Sequence, residues 1–510
     1  MNGEIPRIPA VYEEKVKWVL PEGNLERWDE EQLRDNYQPA TGHLSAVADQ
    51  IQEDVETGRV LKMSLEEARA RFGKDLKVAS LGAVPKDPEW SKLRVVHDAT
   101  HGVEVNHRIK LVNQMGFPLF DDLEATLLDF LAHGHRQKLV MGFDYKAAHR
   151  LIPVREQDWG LQSFRLDDGD TVYVNTCGTF GVGSAAFWWG RLAGTLQRVI
   201  WELIPFTECI YMLLYADDGL ILAAGENYQP NLLKVLALID TLGAPLSWAK
   251  CRGGLRMEWL GYFLDIERGV VGVSGSKAKW LEEWVTRVLK DMLVTGREFK
   301  SALGRMGFLA GPVKQARPFL ALAYSWAAKI SAGTASSIPL SVALTLKFFL
   351  EAVKMQPVRA PKGIPRVGGE IFRVDAKADQ TTVSIGGWES WNGTPPGQAR
   401  WFSICLGRRN APWIFSKGEP FKVIASLELL AVTVAVMIFS KGARWKECAG
   451  RMVLPAYTDS LVNSYVLGKY MSTSFPLSVV LMELAVQLQD LQVDLDLQWL
   501  PRDQNSLAGF

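Results

Sequence analysis

Residues 209–224 read Cys209-Ile-Tyr-Met-Leu-Leu-Tyr215-Ala216-Asp217-Asp218-Gly219-Leu-Ile-Leu-Ala-Ala224. Two apolar runs flank a short acidic break. Asp-Asp-Gly is good turn chemistry, so the stretch reads as two buried strands joined by a tight turn at Asp217-Asp218-Gly219. Taken alone, such a turn is more often only a turn. A second acid changes its meaning. Lys138-Leu-Val-Met-Gly-Phe143 is another apolar strand, and it ends at Asp144. An Asp after a strand commonly caps a helix. Yet three carboxylates at the ends of adjacent strands are also what divalent cations need. Mg²⁺ prefers oxygen ligands, and two such ions about 4 Å apart serve phosphoryl transfer by stabilising the attacking and leaving oxygens.

Composition sets the frame. The chain has 510 residues, 48% hydrophobic and 22% charged, which excludes disorder and low complexity for most of its length. Lys plus Arg and Asp plus Glu are both 57, so a nucleic-acid partner has to be held by local basic surface. The 18 tryptophans point to large aromatic cores or stacking platforms. Cys177, Cys209, Cys251, Cys405 and Cys448 contain no Cys-x-x-Cys pair, which argues against a zinc ribbon or knuckle. Their odd number, with no apolar N-terminal signal, reads as a reducing, intracellular setting, cytoplasm or nucleus. The longest apolar stretch, Leu429 to Phe439, is eleven residues, short of a bilayer span, and reads as a buried helix.

Along the chain, residues 1–40 are polar and without a clear period. Ser45 to Phe72 reads as helical with Gly58 as a break, and Gly73 to Asn106 as two strands around a basic, Pro-rich loop. A helix is expected over Asp121 to His133, a short apolar segment over Thr171 to Thr176, a helix over Leu232 to Leu242 and a strand over Trp259 to Ile266. Lys277 to Leu293 and Glu298 to Ile330 are amphipathic and helical. Met355 to Gly369 is Pro- and Gly-rich and marks the clearest boundary. Beyond it, strands over Ile371 to Ile414 precede a helix (Ala425 to Phe439), a strand (Met452 to Thr458), a helix (Ser478 to Leu488) and a strand (Val493 to Leu500). That order fits an α/β domain with a mixed sheet.

Taken together, the motifs resemble those of reverse transcriptases over nearly the whole chain, most closely the polymerases of DIRS-type (tyrosine-recombinase) and gypsy-type retroelements. Asp144 matches the family's first metal-binding aspartate, and Tyr215-Ala-Asp-Asp218 its Tyr-x-Asp-Asp box. Cys177-Gly-Thr-Phe180-Gly181-Val-Gly-Ser-Ala185 resembles the segment that packs on template and incoming nucleotide; alone it also reads as a Gly-rich strand-to-helix turn. Leu246-Ser-Trp-Ala-Lys250-Cys251 resembles the segment whose lysine lies near the nucleotide phosphates. Trp259-Leu260-Gly261-Tyr262-Phe263 resembles the primer grip, a hairpin. Val84-Pro-Lys86 and Lys92-Leu-Arg94-Val-Val-His-Asp98, with Asn106, resemble the fingers, where Lys86, Lys92 or Arg94 would meet the triphosphate. A solvated basic loop explains these three equally well.

The resemblance implies an α+β fold: a right-hand polymerase of fingers, palm and thumb, followed by an RNase H-like α/β domain. It places an N-terminal extension at 1–44, fingers and palm at 45–268, a helical thumb and connection at 269–355, a linker at 356–369 and the RNase H-like domain at 370–510. It implies RNA-directed DNA polymerase activity with two Mg²⁺ on Asp144, Asp217 and Asp218, with a template–primer duplex of RNA or DNA and dNTPs as partners and no membrane. Where the family usually carries Phe or Tyr to exclude a ribose 2′-hydroxyl, this chain has His149, so weaker exclusion of ribonucleotides is expected. In the C-terminal domain Asp375, Glu428 and Asp459 match three metal-binding acids, though strand-end caps and a solvated helix residue account for them as well. The family's fourth acid falls at Gly509, in Asn505-Ser-Leu-Ala-Gly509-Phe510, which predicts poor RNase H turnover unless Asp503 substitutes. A catalytically inactive nucleic-acid-binding relic is the alternative, and an RNA-templated RNA polymerase a third reading. Protease, integrase and recombinase signatures are not found.

Overall fold

The computed structural model describes residues 16–18, 33–87, 90, 93–111, 115–205, 207–355, 358–359, 361, 370–390, 394–395, 397–439, 452–491 and 493–505. They fall into two compact units, residues 1–118 with 137–253, and residues 119–136 with 254–510.

At the centre of the first unit lies an antiparallel sheet in which Asp218–Ala224 is flanked by Cys209–Tyr215 and Lys138–Asp144. Leu220, Ile221 and Leu222 are fully buried, as their unbroken apolar run requires. Helices Ala185–Leu203 and Tyr228–Thr241 cover the sheet, with Trp189, Ala193, Ile200, Val235 and Ile239 in the shared core. The first of these helices has no counterpart in the sequence expectations. A second sheet joins Val60–Ser64, Thr171–Asn175, Ser163–Phe164 and Val78–Ala79, and Leu81–Pro85 pairs with Leu93–His97 as a separate hairpin. Residues 33–37 are stitched to this region: the Asn36 side chain donates to the carbonyls of Arg165 and Leu166 and accepts from the Leu81 amide.

The helical stretch expected from Ser45 to Phe72, broken at Gly58, forms only in part. Helices Leu44–Glu56 and Leu65–Phe72 enclose a strand, Val60–Ser64, paired antiparallel with Thr171–Asn175. Val-Leu-Lys-Met-Ser can alternate its faces, and a partner strand more than a hundred residues away decides between the two periods. Ser64 then opens the second helix with a capping box to Glu67.

In the second unit, the single strand expected over Trp259 to Ile266 is a hairpin, Arg256–Trp259 against Tyr262–Asp265. Leu260 and Gly261 form its two-residue turn, both with positive φ (53° and 89°), the type I′ geometry that suits a twisted hairpin. Helix Phe120–Ala132 belongs to this unit, and its Phe120 packs on Tyr262. The amphipathic region is divided more finely than expected. Helix Gly275–Asp291 is capped by Ser274, strand Leu293–Thr295 intervenes, and Thr295 caps helix Gly296–Leu309. A 3-10 turn, Lys314–Phe319, then precedes helix Leu320–Ala327. Helix Leu340–Met355 completes this helical core.

Residues 370–505 form a five-stranded mixed sheet ordered Trp401–Leu406, Val383–Glu389, Phe372–Ala378, Met452–Thr458, Val493–Trp499; the first three are antiparallel and the last two run parallel to Phe372–Ala378. Helices Ile424–Phe439, Leu461–Lys469 and Leu477–Asp490 accompany it. By length and composition the helical stretch Pro420–Phe439 could cross a membrane, being longer than the eleven-residue apolar run. Here Leu427, Leu429, Ala431, Val432, Ala435 and Val436 are fully buried in the core beneath the sheet. Of the expected linker, Val358–Arg359 pairs with Val271 and Gly272, and residues 362–369 lie outside the described residues. Buried Gln315 of the helical region donates to buried Asp494 of the sheet.

Candidate active site and metal centre

The acidic hairpin is displaced by one residue from its expected turn. Tyr215 pairs with Asp218, so Ala216 and Asp217 are the two turn residues and Asp218-Gly219 already belong to the strand. Ala216 takes a positive φ of 52°, a conformation that costs a non-glycine residue about 1 kcal/mol. Its carbonyl accepts a hydrogen bond from Trp189 Nε1 at 2.9 Å, one interaction that holds the turn in place. Gly219 serves packing instead of turning. It sits opposite Phe143, and a Cβ there would fall 2.0 Å from the ring.

Strand register brings the three acids to one end of the sheet. Asp144 lies directly opposite Asp218. The Asp217 carbonyl accepts from the Tyr145 amide at 3.0 Å, and the Asp144 carbonyl from the Ser247 amide at 2.7 Å. Lys250 reaches both carboxylate oxygens of Asp144, at 2.9 and 2.8 Å. Asp218 is exposed at the surface, yet desolvation by the surrounding protein, then the charges of Asp217 and Asp144, hold its pKa above the usual carboxylate value against the pull of Lys250. The three acids offer only oxygen donors, and their mutual repulsion is what a hard divalent cation relieves; Lys250 occupies both Asp144 oxygens, and the three carboxylates do not close to within the 4.8 Å reached by the second acidic set described below.

Beside these acids the structure gathers three of the expected nucleotide contacts. The Phe180 ring lies 4.6 Å from the His149 ring and 4.9 Å from the Arg94 guanidinium. Burial holds the His149 pKa below its usual value, with Arg94 acting in the same direction and Asp217 opposing, so the imidazole is neutral at pH 7. Gly181 follows with φ 104°. Lys86 is exposed at the end of the Leu81–Pro85 strand, and Lys92 lies outside the described residues. In the second unit, Trp259 and Tyr262 are buried; Tyr262 stacks on Phe308 at 4.5 Å. Leu260, Gly261 and Phe263 of that group are half-exposed.

The second acidic set, in the second unit, is tighter. One oxygen from each of Asp375, Glu428 and Asp459 lies within 4.8 Å of the others. Asp375 sits on the strand Phe372–Ala378, Glu428 one turn into helix Ile424–Phe439, and Asp459 directly after Met452–Thr458. Asp375 and Glu428 are buried, and Asp459 is half-buried. Burial, then the charges of Asp459 and Asp375, push Glu428 up to about 9; burial and Asp459 likewise raise Asp375. Glu428 Oε2 and Asp459 Oδ1 are buried without a hydrogen-bond partner, and Arg502 approaches Asp459 at 3.9 Å. Buried carboxylates with unmet oxygens are the donor set of a divalent cation site. Asp503 is exposed on the 3-10 turn Arg502–Asn505, and Gly509 lies outside the described residues.

Two supporting residues escaped the sequence reading. Trp189, on the unanticipated helix, fastens the acidic turn. Arg150, next to His149, is largely buried and pairs with Asp54 and Asn175, tying the segment after Asp144 to the second sheet. The apolar period around Trp189 was the available signal.

No protein-family model matches this sequence, and no curated protein matches it. Among solved structures it is similar to the foamy viral protease-reverse transcriptase. Against the dRH form in complex with double-stranded DNA, identity is 16% and the TM-score 0.47, over 95% of this chain and 75% of the other. Against the complex with an RNA/DNA hybrid the values are 15% and 0.49, over 92% of this chain and 55% of that one. Against a further complex with double-stranded DNA they are 15% and 0.46, over 96% and 90%.

Proposed function

We propose that the protein is an RNA-directed DNA polymerase of retroelement type, working in a reducing intracellular compartment. One observation carries the reading: strand register sets Asp144, Asp217 and Asp218 at one end of one antiparallel sheet, beside the His149–Phe180–Arg94 cluster. Asp144, Asp217 and Asp218 would hold Mg²⁺, which supplies charge neutralisation for transfer of a dNTP α-phosphate to a primer 3′-hydroxyl. The chain's own residues orient the reactants. Arg94 is an exposed cation for the triphosphate, and neutral His149 faces the sugar, where its small ring is a weaker barrier to a 2′-hydroxyl than a phenyl would be. Lys250 leaves Asp144 for a phosphate when the nucleotide enters. Leu260 and Gly261 offer backbone to the primer. Primer extension on an RNA template with dNTPs tests this, with Asp217→Asn as control; absence of extension by the wild type, or equal extension by the control, refutes it.

The C-terminal set has a narrower role. Asp375, Glu428 and Asp459 would hold Mg²⁺ for hydrolysis of RNA in a hybrid, slowly, because Gly509 brings no fourth carboxylate and Arg502 sets a positive charge beside Asp459. Rapid Mg²⁺-dependent cutting, abolished by Asp375→Asn, would overturn the expectation of slow turnover.

A further inference from the structure

The Phe180 loop has to be held still for its ring to keep both His149 and Arg94 in place; the Ala185 amide donates to the Val182 carbonyl at 3.1 Å at its end, and Phe180, Gly181 and Gly183 are held from outside. Gly181 and Gly183 have no side chains, and the segment Thr179–Ser184 precedes the helix Ala185–Leu203. The restraint comes from residues 97–106. The His97 amide donates to the Phe180 carbonyl at 2.9 Å. The Asn106 side chain does the rest. Its Nδ2 donates to the Gly181 carbonyl at 2.7 Å and to Thr100 Oγ1 at 2.9 Å, and its Oδ1 accepts from the Gly183 amide at 2.7 Å.

One carboxamide therefore grips the loop on both sides of Val182, reading a carbonyl and an amide two residues apart. The glycines are what permit this approach. A Cβ on Gly181 would fall 1.7 Å from the His97 carbonyl oxygen, and one on Gly183 would lie 3.2 Å from Asn106 Oδ1. The Gly181 carbonyl can only accept and the Gly183 amide can only donate, so these two fix which end of the carboxamide faces which, and Thr100 Oγ1 gives Nδ2 a second acceptor. Asn106 is itself anchored, its amide donating to the Ala99 carbonyl at 2.8 Å. The grip continues through the helix to Trp189 and its bond to the Ala216 carbonyl, so one connected set of contacts runs from Asn106 to the acidic turn.

We infer that Asn106 is the positioning residue of the nucleotide subsite: by clamping Gly181 and Gly183 it sets the Phe180 ring against His149 and Arg94, and so governs dNTP affinity and sugar discrimination without touching the substrate. The inference rests on the polymerase reading for its consequence, but not for its geometry. Misplacing a binding group by about 1 Å is enough to cost one to two orders of magnitude. Losing a positioning residue for the nucleotide alone shows in KM and sugar choice, not in primer affinity.

The test compares Asn106→Asp, Asn106→Ala and Thr100→Val in the full chain. Asn106→Asp keeps the shape and the acceptor for Gly183 but cannot donate to Gly181; Asn106→Ala removes both; Thr100→Val leaves the carboxamide and removes only the second acceptor of its Nδ2. Expected are a rise in KM for dCTP of about ten-fold or more in both Asn106 variants and about three-fold in Thr100→Val, with kcat within about three-fold. The dCTP-to-CTP preference changes, and primer–template affinity stays at the wild-type value. Hydrogen exchange reports the clamp itself: the Gly183 amide loses protection in Asn106→Ala and keeps it in Asn106→Asp. Unchanged KM in both Asn106 variants, or kcat and primer affinity falling in step with it, overturns the inference. A wild type that never extends a primer sinks the polymerase reading instead, and Gly183 protection unaffected by Asn106→Ala then sinks the clamp independently.

Discussion

Replacing Glu428 by Gln should remove the pH dependence of stability that this buried acid imposes. Its folded pKa is raised from 4.5 to about 9, chiefly by burial and then by Asp459 and Asp375. Between those values the folded chain holds the proton and the unfolded chain has released it, so stability falls as pH rises, at about 1.36 kcal/mol per unit. The benefit of the protonated form is fully present below 4.5 and lost by about 9. From pH 6 to pH 8 the wild type should lose about 2.7 kcal/mol relative to Glu428→Gln, which carries no titrating group and keeps the shape. For a unit of this size that is a Tm difference growing by roughly 5–10 °C across the interval. The assay is thermal unfolding of both proteins at pH 6, 7 and 8 in chelator, followed by tryptophan fluorescence and calorimetry, reading the transition of the unit that contains Glu428. Added Mg²⁺ should raise the wild-type transition most at pH 8 and affect the variant less, because the carboxylate oxygens then gain the partner they lack. Parallel pH profiles for the two proteins would show that Glu428 titrates normally and that the acidic set is not the desolvated cluster described.

Three further outcomes follow from the first unit. Gly219→Ala drives a methyl into the Phe143 ring and should cost about 1–3 kcal/mol of stability; unfolding in urea measures it, Phe143→Leu in the same chain should recover part of the loss, and a neutral effect contradicts the packing. Lys250→Ala removes the ammonium from Asp144, and Mn²⁺ binding measured by calorimetry should tighten about three-fold, a modest gain because the lysine is largely exposed; weaker binding would mean that Lys250 supports the site instead of competing for it. Wild-type enzyme should discriminate weakly between dCTP and CTP, with His149→Phe raising the preference about ten-fold; a strong deoxy preference that falls in His149→Ala would show the imidazole to be an adequate gate.

Much of the candidate site was legible because its chemistry is local. An apolar run, an acidic break and a second apolar run can hardly be anything but a hairpin, and Asp144 stands at the end of its own strand. What remained hidden was every feature whose partner lies far away in the chain. The strand Val60–Ser64 looked helical because its own residues tolerate both periods; Thr171–Asn175 makes the choice. The helix carrying Trp189 lies between the glycine-rich segment and the acidic hairpin and bears no chemistry-carrying motif of its own. By its apolar residues Trp259 to Ile266 read as one strand, and only the resemblance to a primer grip implied the hairpin that the positive φ values of Leu260 and Gly261 form.

The amino-acid sequence by itself determined the residue types and those local features that need no distant partner: acids after apolar strands, a turn near Asp217, and a helix bearing Glu428. Only the tertiary structure decided what those residues do together. It set Asp144 opposite Asp218, laid Phe180 between His149 and Arg94, moved Gly219 from the turn into a packing contact, and brought Asp375, Glu428 and Asp459 within reach of one cation. Local preference acts over a few bonds, whereas register and burial depend on which surfaces exclude water from one another, and that is settled only when distant segments meet.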